Sequence, residues 1–346
     1  MRKKLLTVTL TGAMVLGTSF LSSPIVNAVG NGPNYGGNES VNTSIITTYE
    51  EMVNFLHKQE AKQNHMELEV IGQSVKGRDI YLVKYMKNPE NPTILYLTQQ
   101  HGNEVLNTEG ALEFIKHLGT GKTKGVLDNV NVLIVPRLNP DGAAGDVDFP
   151  LDDYVGDGDY HLTRYNANGV DLNRDHVNRL EPETKALHDN VLSAYDIDYM
   201  IDLHHQGPNS ERDGELVSGS ILYPTTSNVD PDVLLKSKQL GAVVFEAIDA
   251  KGWGHLGKYN GGSAETISRN GIAVEYGIST LLFEMRGMAD HFNENYVLGQ
   301  KSNGYLIKQT VTTLDATTRA IADGSITSKD ISFWDTLEFQ KPRRSE

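Results

Sequence analysis

The sequence contains no cysteine, which excludes disulfide bonds, thiolate metal ligands and cysteine nucleophiles. Basic residues are also scarce, because 31 Lys and Arg stand against 45 Asp and Glu, and the formal net charge is -14. An acidic surface argues against binding to nucleic acid or to anionic membranes. No long apolar run follows residues 1–28, so the rest of the sequence offers no candidate for a membrane span.

Residues 1–28 have the pattern of a secretory signal peptide. The basic segment Arg2–Lys4 precedes the mostly apolar, uncharged stretch Leu5–Leu21, and Val26–Ala28 is a small-residue cleavage site. A membrane anchor is the alternative, but the apolar stretch is short and is interrupted by Thr, Gly and Ser. We therefore predict a secreted protein that is cleaved near Ala28 and keeps no membrane anchor.

The remaining residues suffice for one large domain, and no internal repeat divides them. Residues 29–46 are rich in Gly, Asn and Ser and are predicted to form a flexible linker. Residues 47–325 are predicted to form the main domain, and residues 326–346 a C-terminal tail. Strand-like runs alternate with helical ones, which favours an α/β domain with a mixed sheet. The predicted strands are 66–71, 80–85, 93–98, 130–135, 199–203 and 278–283, and the predicted helices are 47–63, 106–118, 182–194, 230–252 and 296–323.

A pair of candidate metal ligands, His101 and Glu104, follows the strand 93–98. The same His-x-x-Glu pattern occurs twice more in the sequence, so the pattern alone does not identify the metal ligands. Its position after a buried-type strand distinguishes this occurrence from the other two. Ligand sites form at the ends of strands in open α/β sheets. A catalytic zinc takes three protein ligands, two histidines and one glutamate being a known set, and keeps one position for water. We therefore predict His101 and Glu104 as two of three ligands.

The third ligand is expected from a distant strand end, and the run 199–206 offers two adjacent histidines. Neighbouring side chains on a strand point to opposite faces, so only one of them can face the metal. We favour His204 and keep His205 as the alternative.

Glu284 ends an apolar strand, where a carboxylate is costly unless it is paired or useful. A zinc-bound water needs a base that takes its proton and returns it to the leaving amine. Glu284 is the candidate for that base, and an ion pair with Arg286 or another arginine is the structural alternative.

Two arginines lie near or within the motif 169–174. The planar fork of Arg174, with Asn173 beside it, suits a carboxylate held by two hydrogen bonds. Arg164 is placed to stabilise an oxyanion as a carbonyl becomes tetrahedral. Asp171 is a candidate to orient a ligand imidazole through a hydrogen bond.

Taken together, these residues resemble the zinc carboxypeptidase family (peptidase family M14, carboxypeptidase A-like). The resemblance implies a mixed eight-stranded twisted sheet flanked by helices on both faces, with 47–325 as the catalytic domain. It implies one zinc ion on His101, Glu104 and His204. It also implies Glu284 as general base and acid, Arg164 at the oxyanion, and Asn173 with Arg174 at the substrate carboxylate. The motifs that carry it are Gly72–Arg78, His101-x-x-Glu104, Asn139–Gly142, Thr163–Asn166, Gly169–Arg174, Asp202–His204, Gly261–Ser263 and Phe283–Arg286.

The chain departs from the family pattern around the substrate. Asn103 stands where digestive-type members have an arginine, and His205-Gln206 replaces a Ser-Tyr pair. The family's mobile tyrosine would fall at Gly257, and Tyr259 is the candidate substitute for substrate binding. The pocket-floor position would be Ala264, which does not specify a side chain.

Residues Asp141–Asp159 include seven aspartates and have no clear family role. Clustered carboxylates on flexible loops are what hard cations prefer, so a calcium site is one interpretation. A solvated acidic loop is the other, and the spacing is not that of an EF-hand.

We predict a secreted, monomeric, zinc-dependent metallocarboxypeptidase that hydrolyses C-terminal amide bonds of peptides with a free carboxylate. Asn103 and His205-Gln206 keep open a zinc amidase acting on peptidoglycan stem peptides or γ-linked substrates. A non-catalytic zinc-binding surface protein is the alternative from another class.

Overall fold

The computed structural model describes residues 46–150, 163–207, 210–252, 254–286 and 303–342. The predicted signal peptide, nearly all of the linker, part of the aspartate-rich loop and residues 296–302 of the last predicted helix lie outside them. The strands are β1 (Glu67–Gln73), β2 (Asp79–Tyr85), β3 (Thr93–Thr98), β4 (Asn131–Val135), β5 (Tyr199–Gln206), β6 (Ser210–Arg212), β7 (Glu215–Leu216), β8 (Gly219–Leu222), β9 (Leu256–Lys258), β10 (Ser279–Arg286) and β11 (Lys341–Pro342).

Eight of these strands form one mixed sheet in the order β1-β2-β4-β3-β5-β10-β8-β9, and the prediction of such a sheet is confirmed. Strands β4, β3, β5 and β10 are consecutive and parallel, while β1, β2 and β8 join them through antiparallel pairs. The carboxyl ends of the four parallel strands therefore meet at one edge of the sheet, where ligand sites are expected.

Helices cover both faces of this sheet. The helices are α1 (Tyr49–Glu60), α2 (Val105–Leu118), α3 (Pro140–Ala144), α4 (Pro182–Leu187), α5 (Pro231–Asp249), α6 (Ser268–Tyr276), α7 (Asn303–Ala322) and α8 (Phe333–Thr336). Side chains alternate along a strand. On β3, Ile94 and Tyr96 accordingly join the apolar core that includes α1, α2, α5 and α7, whereas Leu95 and Leu97 join the core with α4 and α6.

Local sequence explains where several elements begin and end. Thr48 and Glu51 form a reciprocal capping box at the start of α1, and Asp230 caps α5. The helix predicted over 182–194 differs, because its α-helical part ends at Leu187 and continues as a π-helical turn, His188–Leu192. Such turns widen a helix locally and often accompany functional residues.

Strands β5 and β10 extend beyond the predicted ends, to Gln206 and Arg286, because they pair with each other along their whole length. The C-terminal segment packs against the domain, and the indole of Trp334 is buried and donates to the Lys238 carbonyl at 2.9 Å. Within the described ranges, no helix combines the length and the apolar character needed to cross a membrane.

Gly102 lies at the turn after β3, where the chain touches the backbone of α3. A Cβ on Gly102 would lie 2.6 Å from Gly142 Cα and closer still to the adjoining peptide atoms. Backbone atoms cannot swing aside, so we expect Gly102→Ala to lower the free energy of unfolding by roughly 1–3 kcal/mol. Gly121→Ala is the matched control, since a Cβ there meets nothing within 4 Å. Denaturant titration of both variants tests this, and equal stability would contradict the packing argument.

Candidate metal centre

Three buried side chains converge at the carboxyl edge of the sheet. His101 lies in the turn that follows β3, Glu104 is the residue before α2, and His204 lies near the end of β5. The Nδ1 atom of His101 is 2.8 Å from Glu104 Oε1, and the Nδ1 atom of His204 is 3.0 Å from His101 Nδ1 and 2.9 Å from Glu104 Oε2. Within the described part of the chain, this is the one group of at least three His, Asp or Glu side chains whose ligand atoms all lie within 4.8 Å of one another.

The second nitrogen of each imidazole contacts a carboxylate. His101 Nε2 is 3.0 Å from Asp171 Oδ1, so the predicted contact of Asp171 with an imidazole is present. His204 Nε2 is 3.0 Å from Asp202 Oδ2. These contacts leave both Nδ1 atoms directed at the common centre, as in carboxylate–histidine–zinc arrangements. Two imidazole nitrogens and one carboxylate fit zinc, with room for a water ligand.

The electrostatics of the centre favour an ionised Glu104. Burial raises the pKa of its carboxyl group, but His101 and His204 outweigh burial and hold the pKa well below its usual range. His205 is also buried, yet it does not join the three convergent residues. Its two ring nitrogens have no hydrogen-bond partner among the described residues.

Arg164 borders the centre. Its Nη1 atom lies 3.1 Å from His101 Nδ1 and 3.8 Å from Glu104 Oε1. Asp171 fixes the guanidinium, because its Oδ2 atom accepts from Nε at 3.1 Å and from Nη2 at 3.0 Å. The same carboxylate thus positions a histidine and an arginine.

Glu284 lies on β10 in direct register with His204 on β5. The side chain is buried, and it forms no ion pair with Arg286 or any other described residue. Burial, with a smaller contribution from Glu104, raises the pKa of Glu284 to about 7, although His204 acts in the opposite direction. The half-buried Tyr259 hydrogen-bonds Glu284, and this carboxylate raises the pKa of the phenol.

Asn173 and Arg174 lie in the short 3-10 turn that follows Asp171. Asn173 is buried, and its Oδ1 atom accepts from the backbone N–H of Ser268 at 2.8 Å. Arg174 is exposed, and its Nη1 atom donates to the Asn173 carbonyl at 2.7 Å. Asn173 Nδ2 lies 3.3 Å from His204 Nε2, so the turn extends from the metal centre to solvent.

A buried hydrogen-bond network behind His204 was not predicted from the sequence. Gln100 Nε2 donates to both oxygens of Asp202, at 2.8 and 2.9 Å, and Gln100 Oε1 is 2.7 Å from His176 Nε2. His176 Nδ1 is 3.0 Å from His188 Nε2, and His188 Nδ1 is 2.9 Å from the Tyr276 hydroxyl. The network orients Asp202, which contacts His204. Its members come from five separate segments, so no local pattern could have revealed it.

The described part of the aspartate-rich loop does not resemble a cation site. Asp141 accepts from Ser74 Oγ at 2.9 Å and from Arg78 Nη1 at 2.7 Å, and Asp146 accepts from the same Arg78 Nη1 at 2.9 Å. Asp148 pairs with Lys76. These three carboxylates are therefore paired with cations and donors of the chain itself and do not support the calcium interpretation. The other four aspartates, Asp152, Asp153, Asp157 and Asp159, lie outside the described residues.

Comparison with known proteins agrees with this geometry. A family model described as zinc carboxypeptidase matches residues 52–208. Carboxypeptidase D of Rattus norvegicus is 29% identical over 168 residues, which are 45% of this chain and 12% of that protein. The carboxypeptidase N catalytic chain of Rattus norvegicus is 34% identical over 115 residues, covering 30% of this chain and 24% of that protein. The crystal structure of carboxypeptidase A from Helicoverpa armigera shares the fold, with a TM-score of 0.62 at 18% identity, and the match covers 83% of this chain and 77% of that one.

Over residues 52–208, the chain is similar to the zinc carboxypeptidase family. It spans less than a quarter of the length of the two curated relatives above. The matched range includes His101, Glu104, Arg164 and His204, whereas Glu284 lies beyond it. The pairing of β10 with β5 places Glu284 beside His204, which lies within the matched range.

The buried histidine pair predicts an acid-sensitive stability. Burial lowers the pKa of His176 to about 4 and that of His188 to about 2, from 6.5. The unfolded chain therefore binds protons that the folded chain cannot. The stabilisation is complete above about pH 6.5 and is lost as the pH falls towards 4, at about 1.4 kcal/mol per pH unit for each histidine.

We expect His188→Gln to flatten this acid slope by about one proton in denaturant titrations between pH 6.5 and 4, with a chelator present throughout. Tyr276→Phe removes a hydrogen bond of the same network but no histidine, so it should lower stability at every pH without changing the slope. An unchanged slope in His188→Gln would contradict the assignment of a neutral, buried imidazole.

Proposed function

We propose that the protein is a zinc-dependent metallocarboxypeptidase that removes C-terminal residues from peptides. One observation carries this proposal: His101, Glu104 and His204 converge at a single point while Glu284, on the neighbouring strand, stays outside the ligand set. Glu284 is a buried carboxylate without an ionic partner, and such a group destabilises the fold. A purely structural metal site would not require it, whereas a catalytic site requires a base.

Zinc, held by His101, Glu104 and His204, would polarise the scissile carbonyl and lower the pKa of a bound water. Glu284 accepts the proton of the attacking water and delivers it to the departing amine. Burial favours the protonated form of Glu284, which helps this carboxyl group to hold the proton between the two transfers. Arg164, fixed by Asp171, donates to the carbonyl oxygen as negative charge develops there.

Asn173, Arg174 and Tyr259 are proposed to bind the substrate. The exposed guanidinium of Arg174 and the adjacent amide of Asn173 are suited to a terminal carboxylate. The half-buried Tyr259 hydrogen-bonds Glu284, which places its phenol next to the proposed base. We also propose that the mature enzyme is secreted and monomeric, which rests on residues 1–28 and on the acidic, cysteine-free composition.

Glu284→Gln should retain stoichiometric zinc and lose turnover by roughly 10²–10⁴-fold, because the amide cannot accept the proton of the water. Zinc analysis and kcat on a peptide substrate measure the two properties on one sample. Glu246→Gln is the matched control, since Glu246 is an exposed partner of Lys329 on the surface. Full activity of Glu284→Gln would refute the assigned role.

Peptides with a free C-terminus should be hydrolysed, and the same peptides with an amidated C-terminus should not. The reason is that an amide removes the charge that Arg174 is proposed to bind. Product analysis by mass spectrometry, with and without a chelator, tests both the position of cleavage and the need for metal. Equal cleavage of both peptides, or cleavage at internal bonds, would argue against a carboxypeptidase.

A further inference from the structure

A second arginine near the metal centre, Arg269, is almost wholly buried, with 1% of its surface exposed. It lies in the first turn of α6, directly after Ser268. Ser268 connects this turn to the centre, because its N–H donates to Asn173 Oδ1 and its hydroxyl donates to Asp202. The backbone of Arg269 is fixed as well, since its carbonyl accepts from Thr280 Oγ1 at 2.5 Å.

All hydrogen-bond acceptors of the Arg269 guanidinium are neutral. Nη2 donates to Thr225 Oγ1 at 3.1 Å and to the Gly262 carbonyl, and Nε donates to the Tyr223 carbonyl at 3.4 Å. Within the described chain, Arg269 has no carboxylate partner, and Nη1 donates no hydrogen bond. The two N–H groups of Nη1 therefore have no hydrogen-bond acceptor among the described residues.

The guanidinium lies beside Tyr259, one of the proposed substrate-binding residues. Arg269 Nη2 and Tyr259 Cδ1 are 3.0 and 3.2 Å from the position that a Cβ on Gly261 would occupy, so both flank the same glycine. Burial lowers the pKa of Arg269 to about 10, and Glu284 is the nearby acid that opposes this most, while Arg174 adds to it. Ala264, the residue that the family pattern suggests for the pocket floor, is exposed.

A buried charge without a counter-ion destabilises the folded protein, and a hydrogen-bonded anion offsets that cost. The fixed fork of arginine matches a carboxylate in particular. We propose that Arg269 binds a carboxylate on the side chain of the substrate's terminal residue, so that the enzyme prefers peptides ending in Glu or Asp. This inference rests on the proposed carboxypeptidase function and adds the substrate class.

The arrangement also disfavours other terminal residues. A lysine or arginine side chain would meet the like charge of Arg269 in a desolvated site. A glutamine side chain has the shape of glutamate without its charge, so it would leave the cation uncompensated. A comparison of peptides ending in Glu and in Gln therefore separates the effect of side-chain charge from the effect of side-chain size.

The test uses zinc-loaded enzyme and a set of peptides that differ only in the terminal residue: Glu, Asp, Gln, Leu and Lys. We expect the wild-type kcat/KM to be at least about tenfold higher for Glu than for Gln, and lowest for Lys. In Arg269→Gln, the ratio of Glu to Gln should fall to about 1. The ratio of kcat/KM for Glu to that for Gln does not depend on the fraction of active protein in the sample. Arg319→Gln, a change at a surface arginine on α7, is the control and should keep the wild-type ratio.

Wild-type enzyme alone can overturn the inference if Arg269→Gln fails to fold. A kcat/KM for Gln or Lys peptides equal to or above that for Glu peptides would refute it while leaving the carboxypeptidase function intact. A wild-type preference for Glu that persists in a folded Arg269→Gln would refute the role of this residue. Absence of hydrolysis of every free peptide would instead refute the proposed function, and this inference with it.

Discussion

The parallel pairing of β3, β5 and β10 is the constraint on which the metal centre depends. Because these strands are adjacent and run in the same direction, they end at one edge of the sheet. The turn after β3 supplies His101 and Glu104, β5 supplies His204, and β10 supplies Glu284 in register with His204. A slip of one residue in β10 would turn Glu284 to the opposite face. Backbone hydrogen bonds, far more than contacts among the site side chains, therefore set the geometry of the site.

The second constraint is the burial of charge. Glu104, Asp171 and Asp202 lie where little water reaches, and each is stabilised by cations or hydrogen-bond donors. Asp171 serves both His101 and Arg164, so loss of this one carboxylate would disturb an imidazole and a guanidinium together. Shared partners of this kind make the centre rigid, and rigidity lets charged groups act without reorganising during a reaction. Because partners are shared, we expect most substitutions around the centre to disturb more than one side chain.

The sequence was most informative where local pattern and tertiary environment agree. Strand 93–98 was predicted with its observed bounds, because a run of apolar and β-branched residues between polar turns leaves little choice. His101 and Glu104 could be selected from three similar patterns because only they follow such a strand. The short strands β8 and β9 escaped prediction, since they contain Gly219 and Gly257 and depend on their partners for stability.

Burial of polar residues was the hardest property to predict. His176 and Gln100 meet across 76 residues, and His188 and Tyr276 across 88 residues, so their pairing is invisible to any local window. Arg269 follows a Gly-rich loop and lies in the first turn of a short helix, where charged side chains are usually exposed. Only the three-dimensional arrangement, with α6 lying beside β10, converts it into a buried cation.

Three arginines near the centre show how environment gives one side chain different chemistry. Arg164 is already neutralised by Asp171, so it can respond to transient charge without strongly retaining a carboxylate. Arg174 is exposed and stays hydrated, and a carboxylate must displace that water to bind, which keeps the gain in affinity small. Arg269 lost its water when the chain folded, and among the described residues no acid replaced it. An anion that reaches Arg269 therefore gains its full attraction without a new desolvation cost on the protein side, and selectivity should be greatest at the most buried of the three cations.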